Sequence, residues 1–258
     1  MENIVVGILV SFLSVSTIFG NVLVIAAFIK NKCLHKINNY FVLSLALADL
    51  IVGSVSMPCY GVYSFLGYWP FGHLACDLWL FLDYGICFTS VANLLVISFD
   101  RFFSTTEPIT YRIQRTSKKA ITMIILAWLV PIAIWGPFIF IGQYFVKYRD
   151  GQSCQVLVFS FPIITTITIC ITMCVPMCIM VVLNYKIYKV IRQRKLLHSV
   201  VHDDSKAAKV LSSILLLFVL TLSPFSVLTI VVSCCGGCVS STVYTAGRFL
   251  QRLFVVVV

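Results

Sequence analysis

Charge is what this sequence has least of. Only 11% of its 258 residues are charged, nine of them acidic, while 60% belong to the apolar set. That leaves too little polar surface to wrap a water-facing domain, so the chain's solvent is lipid. An Asn-x-Ser/Thr acceptor for N-glycosylation is also missing, as are internal repeats and low-complexity tracts. No nucleophile stands with a base in a spacing that suggests catalysis, which removes enzyme readings. Charges do not recur as they would around a pore, and no two halves match as transporter repeats do. Cysteine is plentiful at eleven, but Cys87, Cys170, Cys174 and Cys178 stand singly inside apolar runs, where a thiol packs as a small hydrophobe. No metal-ligand pattern results.

What is present is a series of seven long stretches nearly free of charge, near 4–29, 40–63, 75–99, 120–142, 157–183, 207–232 and 240–258. A bilayer core needs roughly 20 helical residues, and lipid offers no partners for backbone N–H and C=O groups, so each stretch is predicted to be a helix. The expected fold is all-α, one seven-helix transmembrane domain over residues 1–258. The leader Met1-Glu2-Asn3 carries no positive charge and the apolar run behind it is about twice a signal-peptide core, so the first stretch reads as a retained helix.

Basic residues set the orientation. Fifteen of the nineteen Lys and Arg follow the first, third and fifth stretches, among them Lys30, Arg101, Arg115, Lys119, Lys186 and Arg192. The positive-inside rule then places those connections in the cytoplasm and the N-terminus outside. The net charge of +10 reports this orientation rather than nucleic-acid binding. Cys76 and Cys154 fall on the oxidising side, where a disulfide between them is expected. Cys235-Gly236-Gly237-Cys238 falls there too, and a small-ring bridge between Cys235 and Cys238 is a second candidate.

Charges inside the membrane are functional candidates by default, since an ionised group at the bilayer centre costs about 2.5–3.5 kcal/mol or more. Asp49, about ten residues into the second stretch, is one. Asp83 lies about 10 Å of helix beyond Cys76, in a neighbourhood rich in aromatics: Trp69, Trp79, Tyr84 and, from other stretches, Trp135 and Tyr244. A desolvated organic cation needs such a carboxylate and such rings. Asp100-Arg101 closes the third stretch at the opposite membrane face, with Arg101 free to reach water. Pro58, Pro131, Pro137, Pro162, Pro176 and Pro224 can each kink a helix and so supply hinges.

These residues together resemble the rhodopsin-like G-protein-coupled receptors, and within the amine group the muscarinic acetylcholine receptors. The resemblance rests on Cys76-Asp-Leu-Trp-Leu-Phe-Leu-Asp83-Tyr84, continuing through Ser90-Val-Ala-Asn93 to Asp100-Arg101. It extends to Gly20-Asn21, Leu45-Ala-Leu-Ala-Asp49, Trp128, Trp135-Gly136-Pro137, Pro162-Ile-Ile-Thr165 and Pro176. It implies a multi-pass plasma-membrane receptor, not an enzyme, that binds a small cationic amine and engages a heterotrimeric G protein. Asp83 would be the ammonium counter-ion. Tyr84, Cys87, Trp135, Thr165, Thr168, Phe225, Ser226, Tyr244 and Arg248 would line or border the same pocket. Asp49 and Ser90 match two ligands of a sodium site, Asp100 and Arg101 the G-protein switch, and Cys76 and Cys154 the family disulfide. No other cofactor or metal is implied.

The departures lie toward the C-terminus. Leu222, Phe225 and Ser226 stand where the family has Trp, Tyr and Asn, and Arg248 and Arg252 where it has tyrosines. Phe102 replaces Tyr after Asp-Arg, Asn184 replaces a Tyr of the fifth stretch, and the last stretch has no Asn-Pro-x-x-Tyr. An internal Asp83 to Arg248 ion pair would occupy the carboxylate an amine needs. The alternatives are a histamine-type amine receptor, opposed by Thr172 where a carboxylate is required, and a truncated, non-signalling paralogue. An opsin is excluded by the absence of Lys from the last stretch.

Overall fold

The computed structural model describes residues 2–145, 153–156 and 162–197, together with positions 223, 226–228, 230, 231 and 235. Helix α1 covers Glu2–Lys30 and a 3-10 turn at Lys32–Leu34 leads to α2, Ile37–Ile51. A π turn at Val52–Ser56 joins α2 to α3, Met57–Leu66, as one continuous span. Helix α4 runs over Gly72–Thr106, the short α5 over Pro108–Gln114 and α6 over Ser117–Phe145. The last described span is α7, Pro162–Ile169, a second π turn at Cys170–Cys174, and α8, Val175–Leu197.

Five helical stretches are long and apolar enough to cross a membrane: Val6–Lys30, Asn39–Leu66, Gly72–Thr106, Ser117–Gly142 and Thr166–Gln193. They overlap the first five predicted spans, the fifth running on to Gln193 past the predicted end at 183. The predicted spans at 207–232 and 240–258 lie outside the described residues, apart from the positions between 223 and 235, which are helical. The inner end of the third span differs as well. Asp100-Arg101 does not close the third span, because α4 continues to Thr106, and Arg101 is half-buried with its Nε enclosed rather than in water.

Helix α4 is the post on which the others lean: it packs against α2, α6 and α8, while α1 packs on α2 and α3. The outer faces carry Phe12, Val15 and Phe19 on α1, and Ile121, Ile125 and Leu129 on α6, all exposed and suited to acyl chains. Inside, polar groups tie the helices. Trp128 Nε1 donates to Ser44 Oγ (2.9 Å), Ser44 Oγ donates to Asn93 Oδ1 (2.7 Å), and Asn93 Nδ2 donates to the Thr89 carbonyl (2.9 Å). That relay clamps α6, α2 and α4 at one level, with each buried polar group supplied with a partner.

Both π turns end two residues before a proline, which accounts for them. The Met57 N–H bonds the Val52 carbonyl, and the next bond of the series would need an N–H from Pro58, which has none. The Gly53 carbonyl is thereby released, and Ser14 Oγ of α1 donates to it at 2.7 Å. The wide turn before Pro176 is the same, with Val175 N–H on the Cys170 carbonyl.

Gly53 is also where α1 comes closest. A Cβ there would lie 3.1 Å and 3.2 Å from Thr17 side-chain atoms and 3.3 Å from Ile18. Gly53→Ala is therefore expected to destabilise the bundle by about 1–3 kcal/mol through overpacking. A thermal melt in detergent micelles checks this, and an unchanged midpoint would show that α1 simply moves aside.

Candidate functional site

Helix α4 presents two neighbouring faces toward the disulfide end. Tyr84 and Phe88, one turn apart, meet Trp135 of α6: Tyr84 stacks on it at 4.9 Å and 24°, Phe88 at 4.7 Å and 14°. Phe138 adds an edge contact at 5.3 Å. Trp135 is 0% exposed, so it is the backing that holds Tyr84 in place. On the adjoining face, also one turn apart, stand Asp83 and Cys87, both buried, Asp83 at 8% exposure. A carboxylate thus sits at the border of a ring cluster, which combines ion pairing with electron-rich faces.

Toward the same end, Cys76 and Cys154 form the expected disulfide, with Cα atoms 5.8 Å apart. It fixes residues 153–156 over the start of α4, and the Cys154 N–H donates to Tyr63 Oη at 3.4 Å. Trp69 and Trp79, the latter one turn along α4 from Cys76, stack at 4.9 Å, with Tyr63 edge-on to both at 6.1 Å. Trp79 Nε1 donates to the Ser56 carbonyl at 3.2 Å, tying this cluster to the π turn.

Of the other predicted pocket residues, Thr168 is half-buried on α7, its carbonyl accepting from Thr172 Oγ1 at 2.6 Å. Thr165 lies on α7, with its side chain outside the described residues, and Ser226 is buried. Phe225, Tyr244, Arg248 and Cys238 lie outside the described residues, and with them the predicted Asp83–Arg248 and Cys235–Cys238 pairs; Cys235 is exposed.

Deeper in the bundle, Ser90 Oγ donates to Asp49 Oδ1 at 2.9 Å, joining the two residues of the predicted ion site. Asp49 is 1% exposed, and its Oδ2 has no hydrogen-bond partner among the described residues. An enclosed carboxylate oxygen with an open acceptor position fits a small cation.

At the other end of α4, Asp100 is 2% exposed and is held from the following loop. Arg115 forms an ion pair with it, and Tyr111 Oη donates to its Oδ1 at 2.8 Å. Burial first, then the bond to Asp100, pushes the Tyr111 hydroxyl above its ordinary range, so it keeps its proton and remains a donor. Arg101 makes no ion pair with Asp100 among the described residues. Sequence reasoning missed Tyr111 and Arg115. The available signal was weak: Tyr111 lies on α5 and Arg115 just past its end, close enough in sequence to reach the same carboxylate.

A helical membrane receptor is the class that these spans, this disulfide and this carboxylate-and-ring cluster fit. The family model described as "7 transmembrane receptor (rhodopsin family)" matches residues 20–257, and the chain belongs to that family. Within it, the chain is similar to muscarinic acetylcholine receptor M3 of Gallus gallus, 47% identical over 195 residues, which are 75% of this chain and 30% of that protein. The M3 receptor of Rattus norvegicus is likewise 47% identical over 195 residues, 33% of its length. The M1 receptor of Sus scrofa is 47% identical over 191 residues, 73% of this chain and 42% of that receptor. The matched segments thus span roughly a third of the length of these relatives. They favour the muscarinic reading over the histamine-type one.

Proposed function

We propose that this chain is a plasma-membrane receptor for a small cationic amine of the acetylcholine type, coupled to a heterotrimeric G protein. The observation that carries the reading is the buried Asp83 beside the Tyr84–Trp135–Phe88 stack. The basic connections after the first, third and fifth spans orient the disulfide end outward and the Asp100 end inward. The muscarinic names of its relatives supply the ligand class. Asp83 would pair with the ammonium, and Tyr84, held flat by Trp135, would offer a ring edge and hydroxyl next to it. Ligand binding then favours an arrangement of the bundle in which the inner end around Arg101 receives the G protein.

The direct test is nucleotide exchange on a purified heterotrimeric G protein by the chain in lipid nanodiscs. Carbamoylcholine, a quaternary ammonium, is expected to accelerate exchange, and a muscarinic antagonist to block it. A folded, disulfide-bonded chain with no amine-dependent exchange would leave the non-signalling reading in its place.

Asp49 and Ser90 would hold a sodium ion, which supplies positive charge to the otherwise unsatisfied Asp49 Oδ2. Linkage between ion and agonist then requires that replacing sodium with N-methylglucamine change agonist affinity, by about 3–10-fold. Asp49→Asn is expected to abolish that dependence. Retention of full sodium sensitivity in the variant would move the ion elsewhere.

A further inference from the structure

The inner end of α4 sets one carboxylate against two guanidinium groups. Asp100 and Arg101 are consecutive, and consecutive helical side chains point about 100° apart. Asp100 instead takes Arg115, which arrives from beyond α5 and lies against two rings. The Arg115 guanidinium lies 5.4 Å from the centroid of the Tyr111 ring and 5.9 Å from that of Phe41 on α2. Tyr111 stacks on Phe103 of α4 at 5.9 Å and 22° while its hydroxyl bonds Asp100. Lys119 Nζ caps the α5 end by donating to the Gln114 carbonyl at 3.1 Å. Arg101 is left with an enclosed Nε that has no hydrogen-bond partner among the described residues.

We propose that Arg115, assisted by Tyr111, is a positioning residue for the switch: it occupies Asp100, fixes α5 to α4, and thereby keeps Arg101 available. Removing Arg115 leaves a buried carboxylate without its cation, and Arg101 follows it directly on α4. A buried charge is too costly to stay unpaired, so Asp100 recruits Arg101 and withdraws it from its own task. The phenotype is then reversed by neutralising the carboxylate, which no loss of packing would be. The signalling arm of the test rests on the G-protein reading above, and the structural arm does not.

In the structural arm, hydrogen–deuterium exchange of the full chain in nanodiscs follows the amides of residues 109–115. Arg115→Gln and Asp100→Asn are each expected to speed their exchange by about tenfold, and the double variant by no more than either alone. In the signalling arm, Arg115→Gln is expected to lower carbamoylcholine-driven nucleotide exchange by about fivefold. The double variant Asp100→Asn/Arg115→Gln is expected to return it to within about twofold of the parent. Tyr111→Phe, which deletes one hydrogen bond and keeps the ring, guards against a misfolded variant and should shift both readouts in the same direction by a smaller factor. The proposal is overturned if the double variant is as impaired as Arg115→Gln, or if α5 exchange is unchanged in both single variants. Should the parent itself drive no exchange on the G protein, the preceding reading fails. The deuterium result then decides this one alone.

Discussion

Asp83→Asn is expected to weaken binding of a quaternary ammonium ligand by about a hundredfold or more, roughly 3 kcal/mol. The substitution keeps the shape of the side chain and removes its charge, so the loss measures ion pairing and not packing. The effect is large because Asp83 is buried at 8% exposure, where a charge interaction is little screened by water. A quaternary ammonium has no N–H to donate, so an amide cannot replace the attraction of a carboxylate. Equilibrium binding of a radiolabelled quaternary antagonist to membranes is the measurement. A shift of less than threefold would move the cation away from Asp83 and take the amine reading with it.

Trp135→Ala is expected to cost the fold about 3–5 kcal/mol, a large share of what holds a domain together. The ring is fully enclosed and makes two stacked contacts and one edge contact, each worth about 0.5–1.5 kcal/mol beyond burial. Removing it opens a void between α4 and α6 that neither lipid nor water can fill well. The melting temperature of the purified chain should fall by about 10 °C, and Trp135→Phe by much less. Because Trp135 backs Tyr84, amine affinity is expected to fall as well, even at temperatures where the variant stays folded. A midpoint within 2 °C of the parent would mean that the α4–α6 seam closes over the vacancy.

Much of the described architecture was legible along the chain. The first five spans were visible as runs without Lys, Arg, Asp or Glu, because lipid penalises charge residue by residue and that penalty is written linearly. Asp49 and Asp83 stood out for the same reason, as exceptions to the rule. The Cys76–Cys154 bond followed from both thiols falling on one side of the predicted topology. The end of α4 was misjudged because a charged pair signals the bilayer boundary and not the helix boundary, and the two differ here by the stretch from Asp100 to Thr106. The π turns were hidden too: prolines announce a disturbed helix, but whether it bends, breaks or widens depends on what satisfies the released carbonyl.

By itself, then, the sequence determined that this is a helical membrane protein, where its first five spans run, and which carboxylates lie within them. Hydropathy is a property each segment carries alone. Only the tertiary structure decided the partnerships: Ser14 on the Gly53 carbonyl, Trp135 against Tyr84 and Phe88, and Arg115 rather than Arg101 on Asp100. Hydrogen bonds and ion pairs act over a few ångströms and in fixed directions, so a partner is chosen by where two helices or a loop come to rest, which no single segment specifies.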